Sequence, residues 1–310
     1  MYTDGRAAEF KNTSVRDLNH TEGTMRIVVG VDLSDAAVAA VEQIGLLYQP
    51  DEIVLVHGVP QADTMQGYDE FRQALLKVGR QALERCRALL PAETPSIQTL
   101  CELQHPASFI LDSASTVHAD LIALGTRNLS RVEQVFLGSV SHQVMLHATV
   151  PTLVVKGNAQ PVNRVLMAVQ GREDATHLRK WLTTYPFKNH VAVTILSVFS
   201  TLQNIREDLT MEPEGWVMES TRHAEQVVND TAQAWASPHF TVSTDVRRGD
   251  PVRTVCEVGT RHDLIVVSSH GRKGLSRFLM GSVSQGIVHR ADCSVLVVRR
   301  PPTFELNESL

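Results

Sequence analysis

The stretch "SSHGRKGLSRFLMGSVSQGIVHRADCSVLVV", residues 268–298, follows the apolar run "DLIVV" and has an earlier copy in the same chain. The copy is "GTRNLSRVEQVFLGSVSHQVMLHATVPTLVV", residues 125–155, which aligns without a gap at a shift of 143 residues, from position 125 to position 268. The alignment places the string "GSVS" at 138–141 on "GSVS" at 281–284. Such internal self-similarity predicts a tandem duplication.

The composition agrees with two ordinary globular domains. The chain has 310 residues, of which 43% are hydrophobic and 20% are charged, so each half is long enough to bury its own core. The formal net charge of -5 argues against a nucleic-acid binder that works through a general basic field. We therefore expect no nucleic-acid partner.

Membrane, disulfide and zinc classes are also disfavoured. No apolar run approaches the roughly 20 residues of a membrane span, and the start of the chain lacks the apolar segment of a signal peptide. The four cysteines are far apart and show no C-x-x-C spacing. We expect a cytoplasmic protein with reduced thiols and no membrane partner, preceded by a disordered leader at residues 1–24.

Short β-branched apolar runs alternate with amphipathic stretches through both halves. Runs such as "RIVVGVD", "EIVLVHGV" and "DLIAL" are nearly continuous, as is typical of strands covered on both faces. The pattern predicts an α/β fold of two tandem, open, five-stranded parallel sheets with helices on both faces, a Rossmann-like arrangement. The expected domains are residues 25–157 and 163–300, joined by the polar link "KGNAQPVN" and followed by a loose tail at 301–310.

The glycine segments stand where an open parallel sheet binds ligands, between a strand's carboxyl end and the next helix. In the later copy, Ser268, Ser269, His270 and Gly271 are expected to form a turn, and Gly281 with Ser282, Val283 and Ser284 to open the last helix. Backbone N–H groups of a glycine turn and of a helix N-terminus together form an anion site. Neither a P-loop nor a dinucleotide fingerprint fits, since G-x-x-x-x-G-K-[ST] is absent and Gly30 stands alone. A tight turn and a helix cap without a ligand is the alternative interpretation.

Taken together, these motifs resemble the universal stress protein family over nearly all of residues 25–299. The ATP-binding branch carries G-x-x-G, nine residues and G-[S/T] after such a strand, with an Asp ending strand one and "GDP" before helix three. This chain has Asp32 in "GVDLS", His57 in "LVHGV" and Asp250 in "RGDP". The resemblance implies an adenine nucleotide alpha hydrolase-like fold and an ATP site, with Mg²⁺ accompanying the nucleotide. It also implies that "PTLVV" and "SVLVV" pair antiparallel within one chain as an internal pseudo-dimer, which two chains extend to a homodimer.

The residues that the resemblance assigns to nucleotide binding fall in both halves. In the first half they are Gly30, Val31, Asp32, Gly58, Gly125, Asn128, Gly138, Ser139, Val140 and Ser141. In the second half they are Val169, Gln170, Val198, Ser268, His270, Gly271, Gly281, Ser282, Val283 and Ser284.

The two halves depart from the family pattern at different positions. The first half has Asn128 in place of the second glycine of the turn, although asparagine tolerates left-handed backbone conformations. The second half has Ser268 in place of the first glycine and Gln170 in place of the strand-one Asp. The first half thus keeps Asp32, which the resemblance implies helps to hold the adenosine of ATP. The second half keeps Gly271, the second glycine of the phosphate-binding turn. The pattern therefore leaves open which half binds ATP.

Three functional hypotheses follow. The first is an ATP-binding stress-response regulator, the second a very slow ATPase, and the third a scaffold that acts through its surface without nucleotide. We find no catalytic constellation of a positioned base with charge stabilisation beside the glycine turns, so we expect no enzyme beyond weak hydrolysis. His57 is expected to serve packing, and Asp250 to cap the helix that begins at Pro251.

Overall fold

The computed structural model describes residues 24–60, 68–126, 137–200, 214–235, 237–269 and 280–299. Of the residues singled out above, Asn128, His270 and Gly271 lie outside the described residues. The expected tail at 301–310 and all but Thr24 of the expected leader at 1–24 also lie outside them.

Strands and helices alternate in both halves of the chain. The first half contains β1 (Arg26–Gly30), α1 (Asp35–Leu47), β2 (Glu52–Gly58), α2 (Asp69–Arg87), β3 (Ser96–Glu102), α3 (Pro106–Thr116), β4 (Leu121–Thr126), α4 (Ser139–His147) and β5 (Thr152–Lys156). The second half contains β6 (Arg164–Val169), α5 (Arg172–Thr184), β7 (Val191–Phe199), α6 (Glu214–Gln233), β8 (Phe240–Arg248), α7 (Pro251–Gly259), β9 (Leu264–Ser268), α8 (Ser282–Arg290) and β10 (Ser294–Val298).

The strands form one ten-stranded sheet in the order β3-β2-β1-β4-β5-β10-β9-β6-β7-β8. Within each half the neighbouring strands are parallel. The halves join where β5 and β10 run antiparallel, with Leu153 opposite Leu296. The predicted α/β fold of two five-stranded parallel units is therefore confirmed, and their last strands pair within one chain as an internal pseudo-dimer.

Both faces of the sheet are buried. Along β1, Ile27 and Val29 belong to one hydrophobic cluster and Val28 to another, because successive side chains of a strand point to opposite faces. The strand is apolar on both sides for this reason. Its burial explains why the apolar runs read as continuous rather than alternating.

Two buried cations tie the halves together at the ends of helices. Lys156, at the end of β5, donates to the carbonyl of Ala291, which follows the last turn of α8. Arg299, just after β10, donates to the carbonyl of Met145 in the last turn of α4. A cation beside the C-terminal carbonyls of a helix is favoured by the helix dipole. Each half therefore supplies a positive charge to the last helix of the other.

Candidate functional site

The candidate site lies at the carboxyl ends of the strands, where strand order reverses in each half. In the second half this point falls between β6 and β9, and in the first between β1 and β4. Open parallel sheets bind ligands at such a point because the loops leave the sheet in opposite directions there. We therefore compare these two places, the topological switch points of the sheet.

The N-terminus of α8 forms one wall of the second-half site. Gly281 is the N-cap residue in an extended conformation, with φ -62° and ψ 145°, and it makes no side-chain cap. Its own N–H donates to the Ser269 carbonyl at 2.8 Å. The first N–H groups of a helix have no partner within the helix, so those of Ser282 and its neighbours are suited to an anion.

The serines of the repeated "GSVS" string have different roles. The hydroxyl of Ser284 donates to the Ser268 carbonyl at 2.6 Å, and the matching hydroxyl of Ser141 donates to the Gly125 carbonyl at 3.2 Å. These two serines are buried and fasten the last helix of each half to the strand before it. Ser139 and Ser282 are exposed and open their helices instead. Of each pair, only the first serine is placed as a hydroxyl donor at the surface.

A cavity of about 570 Å³ lies between this helix and the ends of β6, β7 and β9. Its size is within the range of small-molecule sites, about 300–1,000 Å³. The structure brings eight of the residues named from the sequence to its wall, which are Val169, Gln170, Val198, Ser268, Gly281, Ser282, Val283 and Ser284.

Other residues of the wall were not identified from the sequence. Trp216 comes from α6, Phe199 ends β7, Ser200 follows it, and Asp174 stands in the first turn of α5. Asp174 is buried, and its Oδ2 accepts from the Gln170 N–H at 2.9 Å. The tryptophan near the start of the amphipathic α6 was a usable signal, whereas Asp174 resembled an ordinary acidic residue at a helix start.

The described first-half residues named from the sequence stand at the ends of β1, β2 and β4 and at the start of α4. Asp32 Oδ1 accepts from the Ser34 N–H at 2.9 Å and also from the Ser34 hydroxyl. His57 Nδ1 lies 2.8 Å from the Val31 carbonyl. His57 therefore joins the ends of β1 and β2, which agrees with the packing role expected for it.

Two glycines of the first half are required by packing. A Cβ on Gly125 would lie 2.0 Å from the carbonyl oxygen of Ala36, in the first turn of α1. A Cβ on Gly58 would lie 2.7 Å from the Cα of Pro106, at the start of α3. Helix and strand approach each other too closely at both positions for any side chain. Glycine there is explained without a ligand.

Asp250 caps α7, as expected from "GDP". Its Oδ1 accepts from the Arg253 N–H at 2.8 Å, and Pro251 occupies the first position of the helix. Gly249 before it has φ +152°, a conformation that favours glycine. This turn places Pro251 at the cavity wall.

Among the residues that the structure describes, no three His, Cys, Asp or Glu side chains are grouped so as to hold a metal ion. Within the same residues no helix has the length and apolar character needed to span a membrane.

Comparison with known proteins gives consistent matches to one family. The profile described as "Universal stress protein family" matches residues 23–156 and again residues 161–299. A universal stress protein of Mycolicibacterium smegmatis is 26% identical over 291 residues, covering 88% of this chain and 96% of its own length.

Solved structures show the same fold. The crystal structure of a universal stress protein from Archaeoglobus fulgidus DSM 4304 superposes with a TM-score of 0.59 at 18% identity, covering 89% of this chain and 98% of that one. A putative universal stress protein from Pseudomonas aeruginosa UCBPP-PA14 gives a TM-score of 0.58 at 15% identity, with 90% and 94% covered.

Proposed function

The chain belongs to the universal stress protein family, and from that premise we propose that it binds ATP, with Mg²⁺, in the cavity of its second half. The role is that of a nucleotide-dependent stress-response regulator. The observation that carries the proposal is the order of chemical groups along the cavity wall.

The wall changes character from one strand to the next. Beside β9 stand Ser268 and the N-terminus of α8, a surface suited to anions. At the end of β6 stand the polar groups of Gln170 and Asp174. Phe199 at the end of β7 and Trp216 of α6 supply aromatic rings. Since β9, β6 and β7 are consecutive in the sheet, the sequence of surfaces matches the phosphates, sugar and base of a nucleotide.

The fit of Mg²⁺ follows from the donor set. Asp174 is the one charged side chain among the described wall residues, and Mg²⁺ prefers several oxygen ligands in octahedral geometry. We therefore expect the ion to be held by the phosphate oxygens and water. It enters with the nucleotide rather than occupying a site of its own.

The proposal is tested by placing a carboxylate at the anion surface. Ser282→Asp puts a negative charge at the first position of α8, where the helix dipole stabilises it and where it repels phosphate. We expect Mg-ATP to stabilise the wild type in a thermal-shift titration, by about 2.7 kcal/mol at one hundred times Kd. The variant should fold normally and lose most of this stabilisation.

The matched control is Ser139→Asp in the first half. Ser139 is exposed and opens α4 as Ser282 opens α8, so the two variants carry the same change in the same local structure. Equal and unimpaired ATP binding in both would refute the second-half site. Loss in Ser139→Asp alone would move the site to the first half, and no response of the wild type at millimolar ATP would favour the scaffold hypothesis.

A further inference from the structure

We infer that Asp174 selects ribonucleotides at the second-half cavity by accepting hydrogen bonds from the ribose hydroxyls. The inference rests on the proposed function, since it concerns which part of the nucleotide this carboxylate contacts. It assigns to Asp174 the task that the resemblance gives to the strand-one Asp, which this half lacks.

The correspondence between the halves is set by matching contacts. Arg26, which begins β1, accepts from the Asp120 N–H at 2.8 Å and donates its own N–H to the Asp120 carboxylate at 2.8 Å. Arg164, which begins β6, makes the same two contacts with Asp263, both at 2.8 Å. Placing Arg26 on Arg164 puts Asp32 on Gln170 and Ala36 on Asp174.

Three neighbouring positions therefore differ together. The first half has Asp32, Ala36 and Gly125, and the second has Gln170, Asp174 and Ser268. In the first half the Ala36 carbonyl closes against Gly125, where a Cβ would lie 2.0 Å away. In the second half a serine side chain occupies the strand end, and both Ser268 and Asp174 line the cavity. Relative to Asp32 in the first half, the carboxylate of Asp174 stands about one helical turn later in the chain and is still at the switch point.

The surroundings of Asp174 suit contact with a neutral donor. The residue is 6% exposed, and its Oδ2 is held by the Gln170 N–H at 2.9 Å. A carboxylate accepts at about four lone-pair positions, so the bond to Gln170 does not by itself exclude ligand contact. Phosphate oxygens would be repelled there, whereas ribose hydroxyls donate. In the sheet, β6 lies between β9, which has the anion surface, and β7, which ends at Phe199. The sugar of a nucleotide that spans the cavity would lie at β6.

The test compares ATP with 2′,3′-dideoxy-ATP, both as Mg²⁺ complexes, by calorimetry on the full chain. The wild type should bind ATP about tenfold or more tightly than the dideoxy form, since a hydrogen bond to a charged group is the stronger kind. In Asp174→Asn the affinity for ATP should fall by a similar factor and that for dideoxy-ATP should change little. The Asn carbonyl can still accept from Gln170, which preserves the local fold.

Glu173→Gln is the matched control, because Glu173 is exposed in the same first turn of α5 and loses the same charge. It should keep both affinities. Equal loss of both ligands in Asp174→Asn, or no preference for ATP in the wild type, overturns the inference while leaving ATP binding intact. The wild-type comparison needs no variant, so misfolding of Asp174→Asn does not remove the test. Failure of the wild type to bind either ligand overturns the proposed function itself.

Discussion

At the scale of single residues, Gly125 is required by packing, because a Cβ there would lie 2.0 Å from the Ala36 carbonyl oxygen, whereas Asp174 lies at the cavity wall. The helix start at Gly281 was identified because a glycine before two serines is a local capping pattern. Gly125 was identified as the first glycine of the turn in the family pattern, whereas the structure gives it a packing reason against Ala36. Asp174 was missed because its place at the cavity depends on how α5 packs on the sheet, and spacing along the chain carries no sign of that.

Replacement of Gly125 separates packing from ligand contact. Gly125→Ala brings a Cβ to 2.0 Å from the Ala36 carbonyl, so α1 must shift away from β4. We expect a loss of about 1–3 kcal/mol in the free energy of unfolding without nucleotide, measured by urea denaturation.

Gly138→Ala is its control, since a Cβ at that position meets nothing within 4 Å. It loses only the N-cap preference of glycine over alanine, so it should cost about 0.5–1 kcal/mol. If Gly125→Ala proves as mild as Gly138→Ala, the close packing of α1 on β4 is not what requires this glycine.

At the scale of elements, α8 links the cavity to the junction between the halves. Its N-terminus lines the cavity, and its C-terminal end receives Lys156 from β5 of the other half. Burial lowers the pKa of Lys156 from its ordinary 10.5 to about 8, although Cys293, Cys256 and Asp292 oppose the shift. No pattern in the sequence indicated this contact, because it forms only when β5 and β10 pair.

The lowered pKa makes a prediction for stability against pH. The unfolded chain holds the Lys156 proton up to its ordinary pKa of 10.5 and the folded protein only to about 8. Between these values the unfolded state binds more protons, so the contribution of Lys156 to stability rises with pH. We expect the free energy of unfolding of the wild type, relative to that of Lys156→Met, to rise by about 2–3 kcal/mol from pH 8 to pH 10.5.

Urea denaturation of both proteins at several pH values measures this difference and cancels the titrations of groups that do not interact with Lys156. Lys188→Met, at an exposed lysine, is the control and should show no such trend. A flat difference across this range for Lys156→Met would mean that Lys156 is not desolvated in the folded protein.

At the scale of the whole molecule, the fold could be predicted from the sequence because the chain contains two copies of one domain. Two matched series of buried strands and amphipathic helices predicted two parallel units, and the family resemblance implied that their last strands pair. The continuous sheet through β5 and β10 follows. The difference in chemistry between the two switch points required the structure, since the same "GSVS" string opens a helix in both halves. Association of two chains into a homodimer stays a prediction.

The most direct test of the second-half ATP site is a crystal structure of the protein grown with Mg²⁺ and a non-hydrolysable ATP analogue. We expect one nucleotide per chain, with phosphates at the N-terminus of α8 near Ser282, ribose at Asp174 and base near Trp216. A nucleotide at Asp32 in the first half, or none in the second half at saturating concentration, would contradict it.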